Sequence, residues 1–308
     1  MITERAVNRL ANAYGTGGAR ALAYLEHAQE HFLKWMDEEA LFTEAFGTAF
    51  KGGTAIRKFH LGQKGRFSTD LDFAIHDHAV VKHVIDALKA GFEYEGVRFL
   101  LDGKPSEDPG ETHAKWRAAT PELGSTIPAK LDFSRHGVWL PYQLKERAPI
   151  LTVDMETLGF EPVRTPLVDL RENLAEKLAR FRRLPLARDV FDLVNLGPAV
   201  RSDLPLIREL LLLKVWSDVV YTSRGTRPFR GRDEYCGVTA AQLGDKDDLG
   251  ALAKAINDWD RELKVLCDTY GAAIGKASDE REQRLAKCIV DDKWWFEKEL
   301  SAFTAAHA

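Results

Sequence analysis

The chain has 308 residues, a net charge of -4, 45% hydrophobic residues and 29% charged residues. This length allows two domains, and the composition is that of a soluble globular protein rather than a disordered one. No apolar run reaches the roughly 18 residues that cross a bilayer, and the N-terminus lacks the apolar core of a secretion signal, so we expect a cytoplasmic protein. Cys236, Cys267 and Cys288 lack CxxC spacing, and we expect them to be reduced.

The first strongly patterned segment is a predicted amphipathic helix over residues 19 to about 44, where apolar residues recur at helical spacing. A short apolar run over residues 45–50 then meets Gly52 and Gly53, and a helical pattern follows as far as Leu61. This order predicts a strand, a tight glycine turn and a helix.

An acidic strand is predicted next. Leu71, Phe73 and Ile75 alternate with Asp70 and Asp72, which is the period of a half-buried strand. Because alternate residues of a strand face the same way, both carboxylates are expected on one face.

The rest of the N-terminal half contains further short elements. A helix is predicted over residues 79–92, a strand over 97–101, a loop over 102–110 and a strand over 129–133. After residue 165 the patterns become mainly helical. We therefore predict an α/β (α+β) domain over residues 1–165, with a small mixed sheet, and a helical domain over residues 166–308.

Together, these motifs favour nucleotidyl transfer. The reaction needs divalent metal to neutralise phosphates and activate the attacking hydroxyl, and carboxylates hold such metals. Asp70 and Asp72 supply two carboxylates, and Asp132 on a neighbouring strand supplies a third. The glycine turn lets the backbone approach a phosphate, with Thr54 adding a hydroxyl. The order of glycine turn, helix and two acidic strands is that of a polymerase-β-like palm.

Four stretches resemble the AbiEii/AbiGii-type nucleotidyltransferase toxins, which include the MenT-like enzymes of type IV toxin–antitoxin systems. They are KGGTAI at 51–56, RFSTDLDF at 66–73, KLD at 130–132, and the run from Glu172 to Leu193. The resemblance covers about residues 45–195. It implies a polymerase-β-like minimal nucleotidyltransferase fold with a mainly helical C-terminal domain.

The resemblance also implies a function. Such toxins use Mg²⁺, with Mn²⁺ as an alternative, to transfer nucleotides from an NTP to the 3′ end of tRNA, which blocks translation. A cognate antitoxin protein is the implied partner. The alternatives are nucleotidylation of a protein target and a non-catalytic regulatory binding module.

Site residues are carried over from the matching motifs. Asp70, Asp72 and Asp132 become the metal ligands, and they act in catalysis together with Lys177. The nucleotide-binding group is Gly52, Gly53, Thr54, Ser68, Lys130, Arg188, Asp189 and Asp192. The third acid remains open among Asp132, Asp189 and Asp192, although spacing favours Asp132.

Two other patterns suggest further hypotheses. The HxxEH stretch from His27 to His31 matches an inverted zinc-peptidase motif, because two histidines four apart on a helix can share a zinc ion. Two arginine clusters are the candidate RNA-binding surface, although composition alone favours a solvated face for each. They are Arg180, Arg182, Arg183 and Arg188, and Arg224, Arg227, Arg230 and Arg232.

Overall fold

A computed structural model describes residues 1–13, 19–43, 46–108, 110–135, 137–145, 159, 161, 163–222, 228–246, 256–287 and 290–308. The chain divides into two compact units. The sheet unit comprises residues 1–136 and 142–168, and the helical unit comprises residues 137–141 and 169–308. No helix among the described residues is long and apolar enough to cross a membrane.

Strands of the sheet unit form one mixed sheet. They are β1 (Ala49–Lys51), β2 (Leu71–Ala74), β3 (Phe92–Tyr94), β4 (Val97–Leu101), β5 (Ser106–Asp108), β6 (Glu111–Thr120), β7 (Gly124–Ser125), β8 (Ala129–Ser134), β9 (Gln143–Lys145) and β10 (Thr165–Leu167). The order across the sheet is β3-β4-β6-β8-β2-β1-β10-β9, and β5 and β7 both pair with β6. Strand β2 runs parallel to β8, and β1 runs parallel to β10.

One face of the sheet is apolar because the central strands alternate. Phe73 pairs with Phe50 on one side and with Phe133 on the other, and the rings stack at centroid distances of 5.2 and 5.6 Å. All three side chains are buried. The intervening residues of β2 and β8 therefore lie on the opposite, polar face.

The described residues of the sheet unit form four helices: α1 (Glu4–Ala13), α2 (Ala19–Glu38), α3 (Gly52–Ile56) and α4 (Ala79–Ala90). Helix α2 packs Phe32 against Phe99 and Trp116, with ring centroids 5.5 and 5.2 Å apart. A π-helical turn over Arg57–Leu61 continues α3. The predicted first helix is thus correct in position but ends at Glu38, six residues before the expected Glu44.

The helical unit contains α5 (Leu170–Phe181), α6 (Ala187–Leu196), α7 (Leu204–Thr222), α8 (Asp233–Cys236), α9 (Trp259–Thr269), α10 (Glu280–Lys287) and α11 (Lys293–His307). The Asp169 side chain caps α5 by accepting a hydrogen bond from the Arg171 N–H at 2.8 Å. Residues 137–141 join this unit because buried Glu172 accepts the N–H groups of Trp139 and Leu140, each at 2.9 Å.

Three sequence-based expectations need correction. The apolar run at 45–50 yields a strand only from Ala49, and the predicted loop at 102–110 contains β5. Cys236 and Cys267 are joined as a disulfide with a Cα–Cα distance of 5.8 Å, so the expectation of reduced cysteines is wrong for this pair. Their separation of 31 residues hid the pairing, and Cys288 lies outside the described residues.

Candidate active site

A row of polar side chains crosses the polar face of the sheet. Lys51 on β1 pairs with Asp72 on β2, Asp72 pairs with Asp132 on β8, and Asp132 pairs with His113 on β6. Residues in register on neighbouring strands point to the same face, so the four side chains form one row. Asp72 and Asp132 are both partly exposed, so solvent reaches the row.

The glycine turn lies directly against this row. Gly52 has φ +76°, the left-handed region that favours glycine, and a Cβ there would overlap Oδ2 of Asp72. A Cβ at Gly53 would press on the guanidinium of Arg66 and the hydroxyl of Ser68. Glycine is therefore required at position 52, whereas a side chain at position 53 would have to displace the end of the Arg66 side chain.

Side-chain hydrogen bonds hold the irregular segment that leads into the acidic strand. The Thr54 hydroxyl, on a fully buried side chain, donates to the carbonyl oxygen of Asp70 at 2.5 Å. The Gln29 amide donates to the carbonyl oxygens of Ser68 and Thr69, both at 3.1 Å. The hydroxyl of Thr54 therefore supports the backbone beside Asp70, and its side chain is not on the surface.

Helix α2 also carries a buried ionic layer against the turn that follows the glycines. Glu26 receives the Arg57 guanidinium on both carboxylate oxygens, at 2.9 Å from Nε and 2.9 Å from a terminal nitrogen. Glu30 receives Lys58 Nζ at 2.7 Å. All four side chains are at most 3% exposed, so each buried charge depends on its partner. Neither this layer nor the role of Gln29 was predicted from the sequence.

The remaining sheet residues of the predicted site have ordinary placements. Asp70 immediately precedes β2, is partly exposed, and accepts a hydrogen bond from the Thr69 hydroxyl at 3.0 Å. Lys130 lies on β8 two residues before Asp132 and is exposed on the same face. Ser68 is partly exposed beside Gly53.

Residues of the third matching block form a separate cluster within the helical unit. Lys177 Nζ lies 3.2 Å from Asp189 Oδ1 and 2.8 Å from Asp192 Oδ2, and all three side chains are buried. Arg180 also forms an ion pair with Asp189. Arg188 is partly exposed on α6. The two acids thus serve as counter-ions of Lys177.

The first arginine cluster does not form a free basic surface. Arg182 is 1% exposed at the side chain and pairs with Glu234 at 2.9 Å, and Arg183 pairs with Asp218 at 3.0 Å. In the second cluster Arg230 and Arg232 are exposed, with Arg232 3.4 Å from Asp268. Arg224 and Arg227 lie outside the described residues.

The zinc-peptidase hypothesis is wrong for this fold. The carboxylate of Glu30 is occupied by Lys58, and the His31 ring donates from Nδ1 to the carbonyl oxygen of His27 at 2.9 Å. Burial lowers the pKa of both histidines, that of His31 to about 4. Both rings are at most 2% exposed, so they are buried neutral groups of α2.

Another group of ligand-type side chains lies beside the acidic row. Asp108, Glu111 and His113 place their ligand atoms within 4.8 Å of one another, and within the described ranges this is the group with metal-binding spacing. Asp108 is exposed, and the other two are partly exposed. His113 connects this group to the row through Asp132.

The donor chemistry of the acidic row fits a hard divalent cation such as Mg²⁺, which prefers carboxylate oxygens and retains water and substrate oxygens. Asp70, Asp72 and Asp132 would hold it, because Asp72 and Asp132 are in register on neighbouring strands and Asp70 directly precedes β2. In this structure the carboxylate oxygens of these three acids do not all lie within 4.8 Å of one another, unlike the ligand atoms of Asp108, Glu111 and His113. The close approach of Gly52 to Asp72 leaves backbone, rather than a side chain, next to these oxygens.

Comparisons with known proteins identify the family of this chain. The family described as "Nucleotidyl transferase AbiEii toxin, Type IV TA system" matches residues 36–234. The structure of MenT4, a nucleotidyltransferase toxin from Mycobacterium tuberculosis, is 33% identical, with a TM-score of 0.83 over 98% of this chain and 99% of that chain. A comparison with curated protein sequences finds no significant match.

Two structures from Helicobacter pylori are more distant. JHP933 is 17% identical over 100% of both chains, and a putative nucleotidyltransferase is 18% identical over 88% of this chain and 96% of that chain. Both have a TM-score of 0.42, so neither supports a detailed structural argument. The family match and the identity to MenT4 are sufficient: this chain belongs to the AbiEii family of nucleotidyltransferase toxins of type IV toxin–antitoxin systems.

Proposed function

We propose that this toxin transfers nucleotides from an NTP to the 3′ end of tRNA, in a reaction that depends on a divalent metal and that blocks translation. The observation that carries the proposal is the placement of the Asp72 carboxylate against Gly52, in register with Asp132. A cognate antitoxin would control the activity.

In the proposed reaction, the 3′-hydroxyl oxygen of the RNA forms a bond to the α-phosphorus of the NTP, the hydroxyl proton is lost, and pyrophosphate leaves. A divalent metal, when bound, would neutralise the phosphate charge and lower the pKa of the attacking hydroxyl. Asp70, Asp72 and Asp132 are proposed as its ligands, which leaves Asp132 as the third acid.

The glycine turn and its neighbours are proposed to orient the nucleotide. Gly52 and Gly53 allow the backbone to approach the phosphates, because any side chain there would meet Asp72, Arg66 or Ser68. Thr54 and Gln29 would keep Asp70 in place, because their side chains donate hydrogen bonds to the backbone carbonyl oxygens of Asp70 and Ser68. Ser68 and Lys130, on the exposed side of the sheet unit, are proposed nucleotide contacts.

For the helical unit, the family resemblance suggests that Lys177 and Arg188 contact the triphosphate. Asp189 and Asp192 would then hold the Lys177 ammonium in one position, since both carboxylates reach it. A pre-positioned cation loses less side-chain freedom when it binds an anion.

The proposal is tested by incubating the protein with total RNA, Mg²⁺ and each α-labelled NTP in turn. Wild type should label RNA of tRNA size, and Asp70→Asn should not. Glu93→Gln, which changes an exposed acid on β3, is the matched control and should label as wild type does. Label on protein rather than RNA would replace the proposal with protein nucleotidylation. Absence of any label from wild type would favour a regulatory binding module.

A further inference from the structure

We propose that His113 is a positioning residue that orients Asp132 for metal binding. The inference rests on the proposed function, because it assigns His113 to the same carboxylate site. His113 is absent from the motifs that carry the family resemblance, and it lies on β6, next to the acidic strand β8.

The geometry is that of a direct hydrogen bond within the sheet. His113 and Asp132 are register partners of the antiparallel β6–β8 pair, and His113 Nδ1 lies 2.9 Å from Asp132 Oδ1. A carboxylate oxygen can only accept, so Nδ1 carries the donated hydrogen. The bond fixes the Asp132 rotamer and leaves Oδ2 as the oxygen for a further ligand.

The other edge of the imidazole ring faces two more carboxylates. His113 Nε2 lies 3.4 Å from Asp108 Oδ2 and 3.5 Å from Glu111 Oε2. Carboxylates therefore flank both ring nitrogens, so a rotated ring would place carbon atoms where nitrogen now faces an acceptor. The edge strand β5 thus places Asp108 beside the His113 ring.

Hydrogen bonds to metal-binding carboxylates tune the affinity of a site, and removal of such a partner typically costs about 10- to 100-fold in metal affinity or activity. His113 would therefore affect metal affinity and rate through Asp132, without touching substrate or metal. This distinguishes it from Asp108 and Glu111, whose contact with Asp132 is indirect.

Substitutions at His113 separate positioning from a general structural role. Asn can place its amide N–H near the position of Nδ1, whereas Gln extends its amide toward the position of Nε2. His113→Gln should raise the Kd for Mn²⁺ about 10- to 100-fold, and His113→Asn should restore affinity close to wild type. His83→Gln is the matched control. His83, on α4, also lies beside a carboxylate, that of Glu39 at 3.0 Å, but Glu39 is not part of the acidic row.

The measurement is Mn²⁺ binding by electron paramagnetic resonance in the presence of a non-hydrolysable NTP, with the Mg²⁺ dependence of nucleotide incorporation as a second readout. If His113 acts through Asp132, His113→Gln should add no further loss in an Asp132→Asn background. Unchanged Mn²⁺ affinity in His113→Gln would overturn the inference, and so would equal impairment of the Asn and Gln variants. An additive loss in the double variant would make His113 a direct ligand and also overturn it.

The two proposals fail differently. Wild-type protein that binds Mn²⁺ in this His113-dependent way but incorporates no nucleotide would contradict the proposed function and leave the role of His113 standing. Conversely, nucleotide incorporation that requires Asp132, together with normal Mn²⁺ binding by all His113 variants, would contradict the role of His113 and leave the proposed function standing.

Discussion

The carboxylates of the sheet unit and those of the helical unit have opposite surroundings. Asp70, Asp72 and Asp132 are partly exposed, and the hydrogen bonds described for Asp70 and Asp132 come from a hydroxyl and an imidazole. Asp189 and Asp192 are at most 1% exposed and lie against the Lys177 ammonium.

Physical chemistry assigns different roles to the two sets. A fully buried carboxylate needs a cation to offset its desolvation, so the acids of the helical unit are bound to their lysine. A partly exposed carboxylate keeps part of its hydration and can exchange water for a metal ion. The sheet acids therefore remain in contact with solvent, whereas the helical acids hold a buried cation.

Replacement of a sheet acid should give the largest effect on activity. We expect Asp72→Asn to lower nucleotide incorporation by about 10⁴-fold, or about 5 kcal/mol of barrier. Stability should change by less than about 0.5 kcal/mol, because Asp72 is partly exposed. Incorporation assays and urea unfolding measure the two quantities. An active Asp72→Asn variant would remove the distinction between the two sets of acids.

In the helical unit, removal of the shared cation should reduce stability in addition to any effect on activity. Lys177→Met leaves Asp189 and Asp192 buried without their shared ammonium, and we expect at least about 3 kcal/mol of destabilisation. Lys130→Met, at an exposed lysine of β8, is the matched control and should be neutral. Urea unfolding of both variants tests this. Equal stability of Lys177→Met and wild type would contradict a buried ionic cluster.

Buried histidines of α2 should make the sheet unit sensitive to acid. The folded pKa of His31 is lowered by burial from 6.5 to about 4, so the unfolded state takes up the proton first as the pH falls. The free energy of unfolding therefore has its full value above pH 6.5 and decreases by about 2–3 kcal/mol as the pH falls toward 4.

The variant His31→Leu should therefore lose less unfolding free energy than wild type between pH 7 and pH 4.5, which urea titrations at both pH values can measure. His83→Leu, at an exposed histidine, should retain the wild-type dependence. If the unfolding free energy of His31→Leu falls between pH 7 and pH 4.5 as much as that of wild type, this ring does not govern acid sensitivity.

The smallest expected effect concerns the support of the acidic strand. Gln29→Leu removes the donors to two carbonyl oxygens, which should cost about 1–2 kcal/mol of stability. It should also reduce nucleotide incorporation, because Ser68 and Thr69 directly precede Asp70. Gln63→Leu, at an exposed position, provides the comparison in both assays. Full activity in Gln29→Leu would mean that Asp70 needs no such support.

Local periodicity was sufficient to predict the centre of the sheet unit. The alternation around Asp70 and Asp72 and the adjacent glycines placed β2 and the glycine turn correctly. The long strand β6 was missed because its buried residues include Thr112, Ala114 and Ala118, which give weak hydrophobic alternation. His113 could not be identified without that strand.

Pairings between distant residues were beyond sequence reasoning. Glu26 and Glu30 are polar residues on a helix, which are usually exposed, and only their partners 31 and 28 residues away explain their burial. The adjacent cations Arg57 and Lys58, directly after the glycine-turn helix, were the available signal. The disulfide was missed for the same reason, because sequence separation carries no information on Cα distance.

The most direct test of the carboxylate site is an anomalous-difference map from crystals containing Mn²⁺ and a non-hydrolysable NTP. We predict a peak about 2.2 Å from carboxylate oxygens of Asp70 and Asp72, the distance usual for an oxygen-bound divalent ion of this size, with phosphate density beside Gly52. A peak confined to Asp108, Glu111 and His113, with none at Asp72, would contradict the account.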